Sequence, residues 1–189
     1  VSVAADADAP TLNLADAAGS EDTAIGLDIS SALTDTDGSE TLSVTIGDIP
    51  AGSTLTSGGQ TITVDENGNA DIDPSQLAGL QITPPVDFSG SFDLTVTSTA
   101  TEDSGDTATS TGTLSVSVDG VADAAELTTE DAAGSEDTAI ALNIDAGVTD
   151  DTEGLSITIS DVPAGAELSA GTDNGDGTVT AYVGTKTGF

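Results

Sequence analysis

Apolar residues along this chain alternate with polar ones in short bursts. Ile25, Leu27 and Ile29 show the pattern first, followed by Leu42, Val44 and Ile46. It returns at Ile62 and Val64, at Leu80 and Ile82, at Phe92, Leu94 and Val96, and at Leu114, Val116 and Val118. A period of two turns one face of a strand inward and leaves the other in water. With a short strand at residues 11–14, the reading is seven strands separated by turns rich in Gly, Pro, Ser and acid. One segment breaks the pattern. In residues 73–79, Asp73 is placed to cap, Pro74 to start, Gln76 to reach back and Gly79 to stop a single helical turn. No long helical period occurs, so the expectation is an all-β, seven-stranded Greek-key sandwich. Its core would be Val, Ile, Leu and Ala, with Phe88 and Phe92 as the only large members.

The pattern then starts again. Residues 16–25 read Asp-Ala-Ala-Gly-Ser-Glu-Asp-Thr-Ala-Ile and return letter for letter at 131–140, an offset of 115. Leu42-Ser43-Val44-Thr45-Ile46 returns as Leu155-Ser156-Ile157-Thr158-Ile159, where the offset is 113. An internal repeat is therefore the organising feature. Residues 1–8 read as the end of a preceding module and a linker, with Val1-Ser2-Val3 matching the last strand at Val116-Ser117-Val118. Residues 9–118 read as one complete sandwich, 119–123 as a linker and 124–189 as a partial second repeat. The second copy lacks counterparts for the strands at Leu80, Phe92 and Leu114, and its tail from Ala181 matches nothing in the first. It is expected to be an incomplete module, and the chain to be a piece of something longer.

Charge narrows the function. The chain holds 34 acidic residues and one basic residue, Lys186, for a net charge of −33. Nucleic-acid binding needs clustered Lys or Arg, and an anionic membrane repels such a surface. No apolar run approaches the length of a membrane helix. Without His or Cys, neither a Ser-His-Asp nor a Cys-His site can be built. A carboxylate pair for glycoside hydrolysis would lack the aromatic platforms such sites use. The expectation is not an enzyme. Two roles for the acids stay open together: oxygen ligands for a divalent cation, or a solvated surface suited to salty surroundings.

Tracing the strands places the acids at two poles of the module. The loops after the second and sixth strands return to the N-terminal pole with Asp35, Asp37 and Glu40, and with Glu102, Asp103 and Asp106. Glu21, Asp22 and Asp87 fall at the opposite pole. The linker adds Asp119 and Asp123, the second copy Asp150, Asp151 and Glu153, and the entry to the first module Asp6 and Asp8. Carboxylates from separated segments are expected to converge, which suits calcium with its six to eight oxygen ligands. Of these acids, Glu102 is the one not nominated as a ligand.

Four segments together resemble the tandem extender repeats of giant bacterial RTX adhesins. They are Val118-Asp119-Gly120-Val121-Ala122-Asp123-Ala124, the Gly-Ser-Glu-Asp-Thr-Ala box, the Thr-Asp-x-Asp-Gly-Ser-Glu loop and Leu77-Ala78-Gly79-Leu80-Gln81-Ile82-Thr83-Pro84-Pro85. The resemblance implies cadherin-like, immunoglobulin-type sandwiches in a chain exported by a type I system to the bacterial cell surface. It implies calcium at the linkers, stiffening the modules into a rod. By analogy with cadherins, Glu21 and the linker acids would serve one junction, and Asp35 and Asp37 the preceding one. Ala4 stands where Asp119 stands, so the first junction is expected to lack a ligand. The implied role is a structural extender for adhesion and biofilm formation, monomeric, with neighbouring repeats as its partners. The alternative is an adhesive module that grips a glycan or a partner protein itself.

Two further acidic motifs read as turns. Asp65-Glu66-Asn67-Gly68-Asn69 opens like an EF-hand loop, but Ala70 and Gln76 stand where that loop needs Gly and a bidentate Glu. Asp173-Asn174-Gly175-Asp176-Gly177 has hairpin chemistry.

Overall fold

The computed structural model describes residues 6–150 and 152–183. The expected strand at Val1-Ser2-Val3, the position of Ala4, the ligand nominated at Asp151 and the tail 184–189 lie outside the described residues. The chain divides into two compact units, residues 1–121 and 122–189.

Unit 1 is an all-β sandwich of the immunoglobulin type. Its strands are β1 (Thr11–Ala15), β2 (Ala17–Ser20), β3 (Ile25–Gly26), β4 (Asp28–Ala32), β5 (Glu40–Gly47), β6 (Thr54–Ser57), β7 (Gln60–Ile62), β8 (Ala70–Ile72), β9 (Leu80–Thr83), β10 (Gly90–Glu102) and β11 (Thr107–Asp119). One sheet runs β2-β11-β10-β5-β8 and the other β3-β9-β6-β7, with β1 paired to β4. Strands β3 and β4 form nearly one strand, since Leu27 between them still donates its N–H to the Leu80 carbonyl at 2.9 Å. The alternating residues bury as their period requires. Ile25, Leu27, Ile29, Leu80 and Ile82 come from β3, β4, the residue between them and β9, and Val44, Ile46, Leu94, Val96, Leu114 and Val116 from the other sheet. Together they form one core.

Several details depart from the sequence reading. Residues 17–20, read as loop, form β2, which lies parallel to β11 with Val116 opposite Ala17. Their side chains are too small to signal a strand, and the partner supplies the order. Strands β6 and β8 were also unread, because Leu55 stands alone among Thr and Ser and β8 has only three residues. Strand β7 stops at Ile62, so Val64 lies in the following loop, partly buried against the core. Phe88 and Phe92 are not central either. They lean on the core from its margin, edge to face, with ring centroids 5.7 Å apart. The helical turn is present as a single 3-10 turn, Pro74–Gln76. Asp73 accepts from the Ser75 N–H at 2.8 Å, and Gln76 Oε1 accepts from the Asp73 N–H at 3.1 Å.

Unit 2 has the same beginning and a smaller core. Its strands are β12 (Glu126–Thr129), β13 (Ile144–Gly147), β14 (Leu155–Ile159), β15 (Thr172–Asp173) and β16 (Val179–Val183). Strand β12 pairs with β13 as β1 pairs with β4. Strand β16 pairs with β14, Ala181 opposite Ile157, as β8 pairs with β5, Ile72 opposite Val44. Ala181 therefore keeps the place of Ile72 at an offset of 109, and the departure from the repeat begins one residue later, where Tyr182 and Val183 continue the strand while Asp73 and Pro74 start the 3-10 turn. Among the described residues, Ala146 and Ile157 pack against the buried pair Val148 and Leu155.

Candidate metal centre

The N-terminal pole of unit 1 is built by three segments. Strand β5 begins at Glu40, strand β10 ends at Glu102, and the ladder sets these two residues directly opposite each other. Both side chains are buried, Glu40 to 7% exposure and Glu102 to 4%. Each leaves its Oε2 buried with no hydrogen-bond partner. Like charges directly opposite on a sheet repel.

The loops close around this pair. The Ser39 hydroxyl donates to Glu102 Oε1 at 3.3 Å, and the Asp103 N–H donates to the Ser39 carbonyl at 3.0 Å. The entering chain is held by the same acids. The Asp8 N–H donates to Glu40 Oε1 at 2.8 Å, and the Ala7 N–H donates to Asp106 Oδ2 at 3.0 Å. That Ala7 N–H, with smaller help from the Asp6 side chain, holds the Asp106 carboxyl below the usual carboxylate range. Asp35 Oδ1 accepts from the Asp37 N–H at 2.9 Å, and Asp37 Oδ1 from the Ser39 N–H at 2.8 Å. The Ser39 hydroxyl and then its N–H lower the Asp37 carboxyl in the same way. The structure thus brings Asp6, Asp8, Asp35, Asp37, Glu40, Asp103 and Asp106 to one end, as expected, with Glu102 at its base.

The opposite pole carries the other acids of unit 1. Glu21 is buried to 5% exposure, and its Oε2 also lacks a partner. Its Oε1 accepts from the Val121 N–H at 2.6 Å, and its own N–H donates to the Asp119 carbonyl at 3.0 Å. Asp22 and Asp87 both adopt left-handed backbone, with φ of 55° and 57°. The Asp87 N–H donates to Asp22 Oδ1 at 3.3 Å. Glu21, Asp22, Asp87 and Asp119 are therefore neighbours within this unit. Strand β10 spans the two poles with 13 residues, about 40 Å of extended chain.

Unit 2 repeats part of the N-terminal pole. The Asp123 N–H donates to Glu153 Oε1 at 2.7 Å, which reproduces the bond from Asp8 to Glu40. The Thr149 hydroxyl donates to Asp123 Oδ2 at 3.3 Å. Asp150 is buried and accepts from the Thr152 N–H and hydroxyl, both at 2.7 Å. These two donors, the N–H first, lower its carboxyl. Among the described residues of unit 2 no second carboxylate stands opposite Glu153.

The two loops read as turns are turns. Asp65 Oδ1 accepts from the Asn67 and Asn69 N–H groups at 2.9 and 2.8 Å. The Asn174 N–H closes a turn on the Thr178 carbonyl at 3.0 Å.

The poles of unit 1 offer oxygen only. Lys186, the one basic residue of the chain, lies outside the described residues, so the buried carboxylates have no basic partner among them. Carboxylate oxygens with neither a cation nor a hydrogen-bond donor fit a hard divalent ion, and the absence of His and Cys argues against zinc or copper.

Comparison with known proteins adds little. No protein-family model matches the chain, and no curated protein matches it. Among solved structures, the titin domains Z1Z2 in complex with telethonin are similar over 97% of this chain and 85% of theirs. Identity there is 12% and the TM-score 0.33, too low to carry an argument.

Proposed function

We propose that this chain is a calcium-stabilised structural extender from a secreted bacterial surface adhesin, whose task is reach. The observation that carries the cation is the buried pair Glu40 and Glu102, cross-strand neighbours that each keep an unpartnered Oε2. Two facing carboxylates that each keep a buried oxygen without a partner call for something to neutralise them. Calcium, when bound, would supply that charge and accept the remaining oxygens. Glu40 and Asp106 would meanwhile hold the entering chain through the N–H groups of Asp8 and Ala7. Glu21 would do the same for the exit through Val121.

The extender role is supported by repetition and by the surface. The ten-residue box recurs unchanged, and each copy opens with the same strand pair and the same glutamate clamp. Among the described side chains no aromatic platform suited to a glycan stands exposed, since Phe88 and Phe92 lean on the core. With β10 and β11 as its longest strands, each complete module contributes about 40 Å.

Thermal melts in millimolar calcium, in chelator and in sodium chloride of equal ionic strength test the cation. A ligand that binds only the folded state raises the melting temperature by mass action. Each kilocalorie per mole is worth about 4–8 °C for a unit of this size. Calcium should raise the melting temperature of the chain, and Glu102→Gln should blunt that response. An equal response to sodium chloride would mean that the acids are a salt-adapted surface.

A further inference from the structure

Each glutamate of the opposed pair has one oxygen tied and one bare. Glu40 Oε1 accepts from the Asp8 N–H at 2.8 Å and Glu102 Oε1 from the Ser39 hydroxyl at 3.3 Å, while both Oε2 atoms stay buried without a partner. Asp106 is tied as well, its Oδ2 to the Ala7 N–H at 3.0 Å. The donors on Glu40 and Asp106 are main-chain groups of the entering segment, and that segment is itself anchored. Pro10 is buried, and its carbonyl accepts from the Ser110 hydroxyl at 2.6 Å. The Ala9 carbonyl accepts from the Thr34 hydroxyl at 3.1 Å. Residues 9 and 10 thus fix the chain on the sandwich, and the next two N–H groups upstream fall on the acids. The clamp is not peculiar to one copy, since in unit 2 the Asp123 N–H meets Glu153 Oε1 at 2.7 Å.

A carboxylate side chain gives up rotamer freedom when it takes hold of an ion. A hydrogen bond that already fixes the side chain removes part of that cost, and such outer partners of metal-binding groups are worth about 10–100-fold in affinity. A backbone N–H does this without bringing a positive charge that would compete with the ion. We infer that the N–H groups of Ala7 and Asp8 are positioning groups for the cation at this pole. They hold Asp106 and Glu40 in place while the bare Oε2 atoms of Glu40 and Glu102 remain for the ion. The inference rests on the calcium reading above and assigns that site a regulator, the entering chain. Linkage is reciprocal, so the ion must tighten residues 7 and 8 by the same factor by which they tighten it. An entering chain drawn away from Glu40 and Asp106 would give up the ion more readily, and loss of the ion would free the chain.

The test titrates calcium into variants of the whole chain against a chromophoric chelator. Ala7→Gly and Asp8→Ala keep the N–H, whereas Ala7→Pro and Asp8→Pro remove it. Each proline variant should bind calcium at least tenfold more weakly than the other variant at its position. The cost of Asp8→Pro should vanish in a Glu40→Ala background, and that of Ala7→Pro in an Asp106→Ala background. Proline variants as tight as their controls would overturn the inference, and so would costs that persist in those backgrounds. Proline also restrains the segment, so a second measurement uses the unmodified chain. Amide exchange at Ala7 and Asp8 should slow at least tenfold on adding calcium. If the chain binds calcium and these amides do not respond, the inference falls and the calcium reading stands. A chain that takes up no calcium overturns both.

Discussion

Residues 16–25 and 131–140 are identical in sequence and differ in structure. Part of their conformation is shared. The Thr23 hydroxyl donates to the Ser20 carbonyl at 2.7 Å, and the Thr138 hydroxyl to the Ser135 carbonyl at 2.6 Å. Asp22 and Asp137 have φ of 55° and 60°. In both copies the isoleucine packs so tightly on the glycine six residues earlier that a Cβ there would lie under 3 Å from it. The turn is therefore local. The strands are not, because β2 and β3 exist only in unit 1, where β11 and β9 meet them. The same letters fold as loop or as strand according to what lies beside them, and the context dependence of strand propensity means no more than this.

The largest effect that would sharpen the contrast is a pair of cavity mutants. Ile25→Ala removes a buried side chain and should cost unit 1 about 2–5 kcal/mol. Ile140→Ala makes the same change on an exposed face and should cost unit 2 less than about 0.5 kcal/mol. Denaturant melts followed by residue-resolved exchange separate the units. Equal costs would mean that the face of unit 2 is covered in solution.

Next come the glycines. In Gly19→Ala a new Cβ would meet Ile25 Cγ1 at 2.7 Å, and Ile25 is held on every side by the core. That overpacking should cost about 1–3 kcal/mol. In Gly134→Ala the contact is closer, 2.5 Å, yet Ile140 stands at the surface and can turn away. Its cost should be the smaller of the two in the same melts, and the reverse order would show that Ile140 is fixed.

These pairs also mark what could be read from the letters. Alternation exposed the strands whose inward residues are large, such as β5 and the first half of β10. It stopped where the inward residues shrink. The second half of β10 carries Ser98 and Ala100, and β2 carries Ala and Gly, so their pairing is visible only in three dimensions. The convergence of Asp35, Glu40, Asp103 and Asp106 on one pole was legible, because strand direction alone decides which loops share an end. Glu102 was legible as an acid near a turn and not as a buried one. Its burial follows from the register that sets it against Glu40, a contact between residues 62 apart in sequence. A glutamate at the last position of a strand, on the same side as Leu94, Val96 and Ala100, was the available signal.

The glutamates extend the comparison to charge. Glu40 faces Glu102, whereas its counterpart Glu153 makes the same clamp with no opposed carboxylate among the described residues. In chelator, Glu102→Gln relieves the like-charge opposition across the ladder and should stabilise unit 1 by about 1 kcal/mol. In calcium the same change should be neutral or destabilising. Glu153→Gln should shift unit 2 far less in either buffer. Melts of both variants, with and without calcium, check this. A Glu102→Gln effect of one sign in both buffers would detach the pair from the cation.

The smallest expected difference is with acid, where the units should behave alike. Asp37 and Asp106 in unit 1 and Asp150 in unit 2 are all held below the usual carboxylate range by N–H and hydroxyl donors. A carboxyl lowered in the folded state binds its proton more readily when unfolded. Its contribution is complete above the ordinary value of about 4 and is lost as pH falls through the lowered folded value. From pH 7 down to about 5 these groups should leave stability flat, with the decline setting in below about 4. The loss per group should be slight, because the bonds of Asp37 and Asp106 lie at the exposed surface. Asp106→Asn keeps an acceptor for the Ala7 N–H but cannot titrate, so urea melts from pH 7 to 3 should show a shallower acid decline for unit 1 and an unchanged one for unit 2. A decline as steep in the variant as in the parent chain would show that Asp106 contributes nothing to it.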